Sequence, residues 1–502
     1  MTDNYRWIVL IALSLMAFLI NVDYTAVNLA LIPMAADLHA DINTMQWVLS
    51  AYVLVWAVLV IPVGSYADKH SKRHLCLSGL GLFLFASLLA GLASSAHLLI
   101  AARILQGIAG AIYVPAMYSL IYINFSENER GRAIGMMSLG VGLGMAMGPF
   151  IGGVLLAFIN WRSIFFINIP VGLIALLIIY YSPEKEHLKQ ANNTIDKTSA
   201  ILLGLSTIII LYVLGQWQLW AQNAVVYFAL LIAAVSSFIG FVHLQKRIAN
   251  PLIPLSIFSN LPFTGVCIGM LLEQYGFSTI IVASGLYLQK IMQFSSLTSS
   301  LVYLALTAIF GVIAAMGGSW IDRTGLRKPT VLGLALLAVG SIFFALLSPN
   351  SNIFIICLML IVLGVGMGLA FAGLNTGVVK TVTPEQIGIG SSVFLMCALL
   401  GNAFGVTITT LIYQKSSLTK FIQLLLDKGV MVNINQINSL NNYIANIGGL
   451  NHDLILFSNN LKITILSNTG YALNYGIHNI MLLNALILLI ATLCCAMLFK
   501  KK

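Results

Sequence analysis

Long apolar runs alternate with short polar breaks along most of the chain. A helix that crosses a bilayer needs about 20 predominantly apolar residues, and most of these runs reach that length. When the runs are broken at charged residues and at Pro, Asn or Ser clusters, the pattern predicts fourteen spans: 7–29, 44–67, 74–95, 98–122, 133–158, 162–181, 197–216, 222–243, 262–285, 298–321, 330–348, 352–374, 388–413 and 474–498. The sequence therefore predicts an all-α integral membrane protein.

Composition supports this class of protein. Of the 502 residues, 59% are hydrophobic and only 8% are charged, whereas a soluble domain carries roughly 25% charged residues. This excludes soluble enzymes, nucleic-acid-binding proteins and disulfide scaffolds. The six cysteines lie in or beside apolar segments, where a thiol packs as a small hydrophobe, so we expect no disulfide framework. The first run follows Arg6 without an A-x-A cleavage site and is interpreted as a retained span.

The net charge of +10 comes from Lys and Arg residues that cluster between the spans. Most of them lie in alternate loops, and short loops rich in Lys and Arg stay on the cytoplasmic side of a membrane. An even number of spans places both ends of the chain on one side. We therefore expect a multi-pass protein of the inner (cytoplasmic) membrane with both termini in the cytoplasm.

A short motif occurs twice, with the same orientation relative to the spans. Residues 64–69, Gly-Ser-Tyr-Ala-Asp-Lys, recur as residues 318–323, Gly-Ser-Trp-Ile-Asp-Arg, and a basic pair follows each copy. A parallel repeat of this kind is typical of transporters built from two halves. An ordinary solvated turn would explain one copy, but two copies at matching positions favour a cytoplasmic gate. The candidate gate residues are Gly64, Asp68, Arg73, Asp322 and Arg323.

The repeat also predicts the domain organisation. Two six-helix bundles account for twelve spans, which leaves two inserted helices between them. The predicted boundaries are residues 1–190 for the N-terminal bundle, 191–250 for the insertion and 251–502 for the C-terminal bundle. The last bundle includes a long, Asn-rich extracytoplasmic loop, 414–473, which is either a partly ordered cap or a docking site for a partner.

Three charged residues lie inside the predicted spans: Asp23, Arg103 and Glu273. A charge within a span is costly and is usually functional. Asp23 and Arg103 are predicted at similar depths, near the outer ends of their helices, and could pair. Asp23 is interpreted either as part of a structural ion pair or, preferably, as a site for protons or cations. Glu273 lies near the predicted midplane and is either a second proton site or a neutral packing residue.

Small residues recur along the fifth span. Gly140, Gly144, Gly148 and Gly152 are four residues apart, and Pro149 and Gly153 lie beside them. Such a stripe lets another helix backbone approach closely. It is either a plain packing motif or a moving contact between the two halves.

These motifs resemble the major facilitator superfamily and, within it, the fourteen-helix drug:proton antiporters. The resemblance is carried by residues 21–33 of the first span, the turn at 64–73, Arg103 to Gly107 with Gly110, residues 144–153, and residues 161–170 at the entry to the sixth span. It implies that Asp23 is a proton or substrate carboxylate, that Arg103 is its proton-coupling partner, and that Asp68 belongs to the gate. It also implies that Gly148 and Pro149 shape a hinge or seal in the fifth helix. Some members of the family work with a periplasmic adaptor protein.

The leading hypothesis is a proton-coupled antiporter that exports lipophilic compounds, with cations favoured, so that the partners are protons, a small-molecule substrate and lipid. The alternative is a transporter of one metabolite, such as an organic acid or a siderophore. A membrane-embedded enzyme is disfavoured because the sequence has no H-E-x-x-H, no G-x-S-x-G and no aspartate-rich diphosphate site. We expect no catalytic residue, cofactor or metal site.

Overall fold

The computed structural model describes residues 4–40, 42–67, 70–182, 197–215, 223–248, 251–427, 430–445, 457 and 459–499. The described residues form helices, labelled here in chain order: α1 Asn4–Asp37, α2 Ile42–Ala67, α3 Lys72–Gly91, α4 Ala96–Asn124, α5 Glu127–Phe158, α6 Ser163–Tyr180 with a break at Ile167, α7 Lys197–Gly215, α8 Ala224–Arg247, α9 Leu261–Leu286, α10 Ser296–Thr324, α11 Arg327–Ala345, α12 Ile353–Thr381, α13 Ile387–Leu426, α14 Ile434–Ala445 and α15 Asn459–Leu498.

Polar residues with short side chains mark where many of these helices begin. Ser71, Ser95, Asn260, Ser295 and Asn352 each precede a helix, and each side chain accepts a hydrogen bond from a backbone N–H of the first turn. Such caps satisfy N–H groups that have no partner inside the helix.

The predicted membrane-spanning pattern is confirmed. Within the described residues, 13 helices are long and apolar enough to cross a membrane. The remaining predicted span corresponds to α7, whose apolar stretch, Thr198–Ile210, is shorter. The protein is therefore an all-helical, multi-pass membrane protein.

Several predicted helix ends were wrong because the helices continue beyond their most apolar part. Helix α1 ends at Asp37, not near residue 29, and it runs through Pro33. Asp23 therefore lies fourteen residues before the end of α1, deeper than the six residues predicted from hydropathy. Helix α5 likewise begins at Glu127 and α12 ends at Thr381, each well outside the predicted span.

The predicted loop 414–473 is largely helical, which corrects that prediction. Helices α13 and α15 are 40 residues long, or about 60 Å, so they exceed the roughly 30 Å hydrocarbon core. The two helices pack on each other where the extensions begin, because a Cβ atom at Gly476 would collide with Ser417 and Tyr413. The ring of Phe421 packs edge-on against Tyr443 of α14 at 6.4 Å. Residues 428–429, 446–456 and 458 lie outside the described part.

The two halves of the chain make equivalent contacts with each other. The second helix of each half, α2 or α10, carries one copy of the repeated motif. A Cβ atom at Gly64 of α2 would collide with Ser392 of α13. A Cβ atom at Gly318 of α10 would collide with the carbonyl of Gly131 in α5. Thus the second helix of each half packs against the fifth helix of the other, as a parallel repeat requires.

These inter-half contacts lie at one end of the bundle, called here the basic end, where α2, α4, α10 and α12 finish. Farther along α5, Gly142 packs against Phe310 and Gly311 of α10. At about 100° per residue, Gly153 lies on the same face of α5 as Gly131 and Gly142. A Cβ atom there would meet nothing within 4 Å. Helices α5 and α10 are therefore in contact near the basic end and diverge towards the opposite end.

The inserted hairpin lies against one seam between the halves. Helix α7 packs on α8 and contacts both α2 and α13. A Cβ atom at Gly204 of α7 would lie 3.1 Å from Val58 Cγ1 of α2. Helix α8 holds to α7 through a hydrogen bond of 2.8 Å from Ser237 Oγ to Leu202 O. The hairpin therefore covers the α2–α13 seam.

Candidate functional site

Asp23 and Arg103 form an ion pair inside the first bundle, which confirms the expected pairing. Both side chains are fully buried. Arg103 Nη1 also donates to Gln106 Oε1 at 2.6 Å. Helix α1 supplies the carboxylate and α4 the guanidinium, so the ion pair joins these two helices. Lipid would not solvate either charge inside the membrane, and each charge therefore needs the other as its partner.

Two amide groups complete the shell around Asp23. Gln106 Nε2 donates to Asp23 Oδ1 at 3.2 Å, and Asn168 Nδ2 of α6 donates to the same oxygen at 2.9 Å. Both amides also donate to Ser87 Oγ of α3, at 2.9 and 3.3 Å. Helices α4 and α6 therefore donate to a carboxylate that α1 carries, and α3 contacts both of the amides.

This arrangement fits the ionised form of Asp23. The donors that face the carboxylate are N–H groups of Arg103, Gln106 and Asn168, and a carboxylate only accepts hydrogen bonds. The contact from Arg103 to Gln106 Oε1 fixes which end of that amide faces Asp23. A proton added to either oxygen of Asp23 would point at an N–H group, which is itself a donor. Protonation must therefore rearrange the contacts that join α1, α4 and α6.

Arg103 has a further set of neighbours on α2. Its Nε donates to Val48 O at 2.9 Å, and its guanidinium carbon lies 4.2 Å from the centre of the Tyr52 ring. Arg103 Nη2 and the Tyr52 hydroxyl have no hydrogen-bond partner among the described residues. The guanidinium thus keeps one donor that makes no hydrogen bond within the described part of the chain.

Sequence reasoning found the two charges but missed Ser87, Gln106 and Asn168 as members of the site. Gln106 and Asn168 lie within motifs that were recognised, at 103–107 and 161–170, but an amide carries no charge that would single it out in a span. Ser87 had no signal, because serine is common in transmembrane helices.

Glu273 lies apart from this network, in the second bundle. It is fully buried, near the middle of α9. Its Oε2 accepts a hydrogen bond of 2.8 Å from Gln274 Nε2, whereas Oε1 has no partner among the described residues. A carboxyl group is costly to bury in its charged form when it has few hydrogen-bond donors around it.

The repeated motif in the second half forms a clasp between the halves. Asp322, near the end of α10, pairs with Lys380 of α12 at 2.7 Å. It also accepts hydrogen bonds from the backbone N–H groups of Gly131 and Arg132 in α5, at 3.1 and 2.9 Å. Because these N–H groups lie near the positive end of α5, the carboxylate is stabilised by the helix dipole as well as by Lys380.

The other predicted gate residues occupy different positions. Gly64 lies at the contact of α2 with α13, and Asp68 lies outside the described residues. Arg73 contacts its own half, because Nε donates to Ile179 O at 3.2 Å and Nη2 to Tyr180 O, at the end of α6. Arg323 is exposed beside the clasp.

The glycine stripe of α5 packs on α1. Cβ atoms at Gly144 and Gly148 would collide with Phe18 O and with Thr25, and one at Gly152 would lie 3.1 Å from Ala26 Cβ. The same is true of Gly140 at Ser14. The stripe therefore joins two helices of one bundle, as the packing interpretation expects, while Gly153 faces open space and the side chain of Pro149 lies outside the described residues.

Two bundles related by a parallel repeat and in contact at one end are the architecture of a membrane transporter. The chain belongs to the Major Facilitator Superfamily, whose sequence profile matches residues 13–406. Solved structures share the fold: the human organic anion transporter MFSD10 (TETRAN) aligns with a TM-score of 0.59 at 13% identity, covering 97% of this chain and 98% of that one. The proton:xylose symporter XylE aligns with a TM-score of 0.60 at 12% identity, covering 97% and 95%.

Relatives with assigned roles include both drug exporters and a vitamin transporter. The Tetracenomycin C resistance and export protein of Streptomyces glaucescens is 29% identical over 402 residues, covering 80% of this chain and 75% of the relative. The Riboflavin transporter RibZ of Clostridioides difficile is 27% identical over 414 residues, covering 82% and 89%. The Quinolone resistance protein NorB of Staphylococcus aureus is 27% identical over 412 residues, covering 82% and 88%. The protein is a transporter rather than an enzyme.

Proposed function

We propose that the protein is a proton-coupled antiporter that exports lipophilic compounds, cations among them, across the cytoplasmic membrane. The observation that carries the proposal is the buried Asp23 network. A carboxylate that is enclosed by three donor side chains from α4 and α6 can bind a proton only by rearranging them. Drug-export relatives support the direction of transport.

Coupling follows from the two forms of Asp23. When Asp23 is ionised, it holds α1, α4 and α6 together in the conformation that is closed at the basic end. When it takes up a proton, the ion pair with Arg103 loses its charge attraction, and the contacts among these helices weaken. A carboxylate whose protonation favours the other conformation links proton movement to alternating access. Glu273 supplies a second protonatable group in the other half.

The orientation belongs to the same proposal. The basic end carries most of the loop Lys and Arg residues, and such loops face the cytoplasm. The closed end would then be cytoplasmic, and the cleft between α5 and α10 would open outward, where Asp23 can load a proton. A reporter fused to either terminus should be accessible only from the cytoplasmic side.

The test uses inverted membrane vesicles with an acidic interior and a pH-sensitive dye inside. A panel of lipophilic cations is added to wild type and to Asp23→Asn. Wild type should release protons when a substrate is added, while Asp23→Asn should lose this signal, because asparagine cannot exchange a proton. Asp37→Asn is the matched control, since it makes the same change on the same helix outside the buried network, and it should keep the substrate-induced proton release of wild type.

Coupled transport that survives in Asp23→Asn would place the coupling group elsewhere.

The second candidate function is transport of one metabolite, which the 27% identity to a riboflavin transporter favours. A wild-type protein that gives no proton signal with any cation but transports riboflavin, an organic acid or a siderophore would establish that alternative.

A further inference from the structure

A second connection between the halves lies deeper than the Asp322 clasp. Tyr118 of α4 donates a hydrogen bond from its hydroxyl to Asn375 Oδ1 of α12. The two side chains are 5% and 1% exposed, so water does not compete for either group. The ring of Tyr118 also packs edge-on against Phe394 of α13, with centres 6.3 Å apart.

The three residues form one layer, which we call the inner layer. Tyr118 lies six residues before the end of α4, and Asn375 lies six residues before the end of α12. Phe394 lies seven residues after the start of α13. At 1.5 Å per residue, each is about 9 to 11 Å from the basic end. The inner layer therefore lies between the Asp322 clasp and the open part of the cleft.

The orientation of the Asn375 amide is fixed by its own helix. Asn375 Nδ2 donates to Phe371 O at 2.8 Å, which leaves Oδ1 to face α4. The bond to Tyr118 is thus made between an acceptor held in place by the second half and a hydroxyl carried by the first. The bond does not stabilise either half by itself, and it breaks whenever α4 and α12 separate.

We propose that Tyr118 and Asn375 form an inner latch that sets the fraction of molecules whose basic end is closed. This inference rests on the proposed function in one respect, because it assumes that the basic end opens during transport. Both are positioning residues, since they act on the distance between the halves.

The test measures that fraction directly. Spin labels are attached to cysteines introduced at the exposed positions Asn128, beside the start of α5, and Thr383, beside the start of α13. The background carries alanine at the six native cysteines, and the protein is placed in lipid nanodiscs. Electron–electron distance distributions then give the populations with the basic ends together and apart.

Tyr118→Phe should raise the ratio of separated to closed molecules roughly 2- to 10-fold, the value of one buried neutral hydrogen bond. The ring and its contact with Phe394 are kept, so folding should be preserved. Tyr122→Phe is the matched control, because it removes the same hydroxyl one turn later on α4. The Tyr122 ring packs under the guanidinium of Arg130 at 3.5 Å, a contact that phenylalanine retains. The ratio of separated to closed molecules in Tyr122→Phe should equal that of wild type.

A double-mutant comparison separates the latch from general loosening. Asn375→Leu should give a similar shift, and Tyr118→Phe with Asn375→Leu should shift the ratio no further than the larger single change. Equal populations in Tyr118→Phe and Tyr122→Phe, or additive effects of the two latch changes, would overturn the inference. These measurements need neither a substrate nor a proton gradient, so they stand even where the antiport assay fails.

Discussion

Asp23 and Asp37 lie on the same helix, fourteen residues apart, in opposite surroundings. Asp23 is buried and accepts its hydrogen bonds from side chains of two helices, α4 and α6. Asp37 lies at the exposed end of α1, where Arg162 Nη1 and Trp161 Nε1 donate to Oδ2 at 2.7 and 3.1 Å. Arg162 Nη2 also donates to Ala93 O at 3.1 Å. The same residue type is therefore buried among helices at one position and joins three segments at the surface at the other.

Asp37 gives a pH-dependent stability prediction. The hydrogen bonds from Arg162 and then Trp161 hold the pKa of this carboxyl below its usual value. A lowered pKa in the folded state stabilises the protein at pH above the unfolded value, and this stabilisation is lost as the pH falls through the folded value. Asp37→Asn should therefore lower the melting temperature in detergent by a similar amount from about pH 5 to pH 8, with the difference shrinking below about pH 4. A difference that grows towards low pH would contradict the assignment.

At the scale of elements, α5 has two glycine faces with different partners. Gly144 and Gly148 face α1 of the same bundle, whereas Gly131 and Gly142 face α10 of the other. One helix therefore packs within its own bundle on one side and against the other half on the other side. Gly153 continues the second face into the open part of the cleft, where nothing lies within 4 Å of its Cβ position.

These faces make opposite predictions for neighbouring glycines of one motif. A methyl group at Gly148 would collide with Thr25, so Gly148→Ala should force α1 and α5 apart and cost about 1 to 3 kcal/mol of stability. Gly153→Ala has open space and should be neutral or slightly stabilising, because alanine favours a helix. Melting temperatures and expression of the two variants, measured side by side, check this. Equal losses in both would show that the motif does not act through close packing on α1.

Hydropathy and the repeat were sufficient to predict the fold class, but not the partners that Gly64 and Gly318 contact in the other half. They failed at the ends of α1, α5, α12, α13 and α15, because a helix continues through polar residues when its neighbours pack against it, and hydropathy does not record that packing. The charges of the site could be predicted, since a charge in a span is conspicuous. The other residues are uncharged, and only the folded structure shows their partners. It places Gln106 and Asn168 beside Asp23, and it pairs Tyr118 with Asn375.

For the whole molecule, closure at the basic end depends on layers of different chemistry. Asp322 with Lys380 forms an outer ionic layer, and the inner layer is a buried neutral hydrogen bond beside an aromatic contact. The glycine contact of Gly318 with Gly131 holds α10 and α5 close between the two. An ionic layer weakens as salt screens it, whereas the buried layer does not.

Removing the ionic layer should open the basic end without unfolding either bundle. Asp322→Ala leaves Lys380 without its carboxylate partner and removes the two hydrogen bonds from α5 to α10, and it should favour the open state by about 1 to 3 kcal/mol. Asp322→Asn keeps an acceptor oxygen but loses the charge, and should give a smaller shift. The same labels at positions 128 and 383 measure both variants, with Arg323→Ala as the control. A shift for Arg323→Ala as large as that for Asp322→Ala would mean that any charged residue at this end, and not the specific contacts of Asp322, keeps the basic end closed.

The position of α7 makes the two sides of the transporter unlike in the plane of the membrane. The internal repeat relates the α2–α13 seam to the α5–α10 seam, but the first is covered by α7. Beside the second, Leu143 and Met147 of α5 and Val312 and Met316 of α10 are exposed. A compound dissolved in the bilayer that diffuses laterally towards the cleft therefore meets a protein wall on one side and a lipid-facing seam on the other. Its rate of arrival along that route depends on its partition coefficient and its two-dimensional concentration in the leaflet.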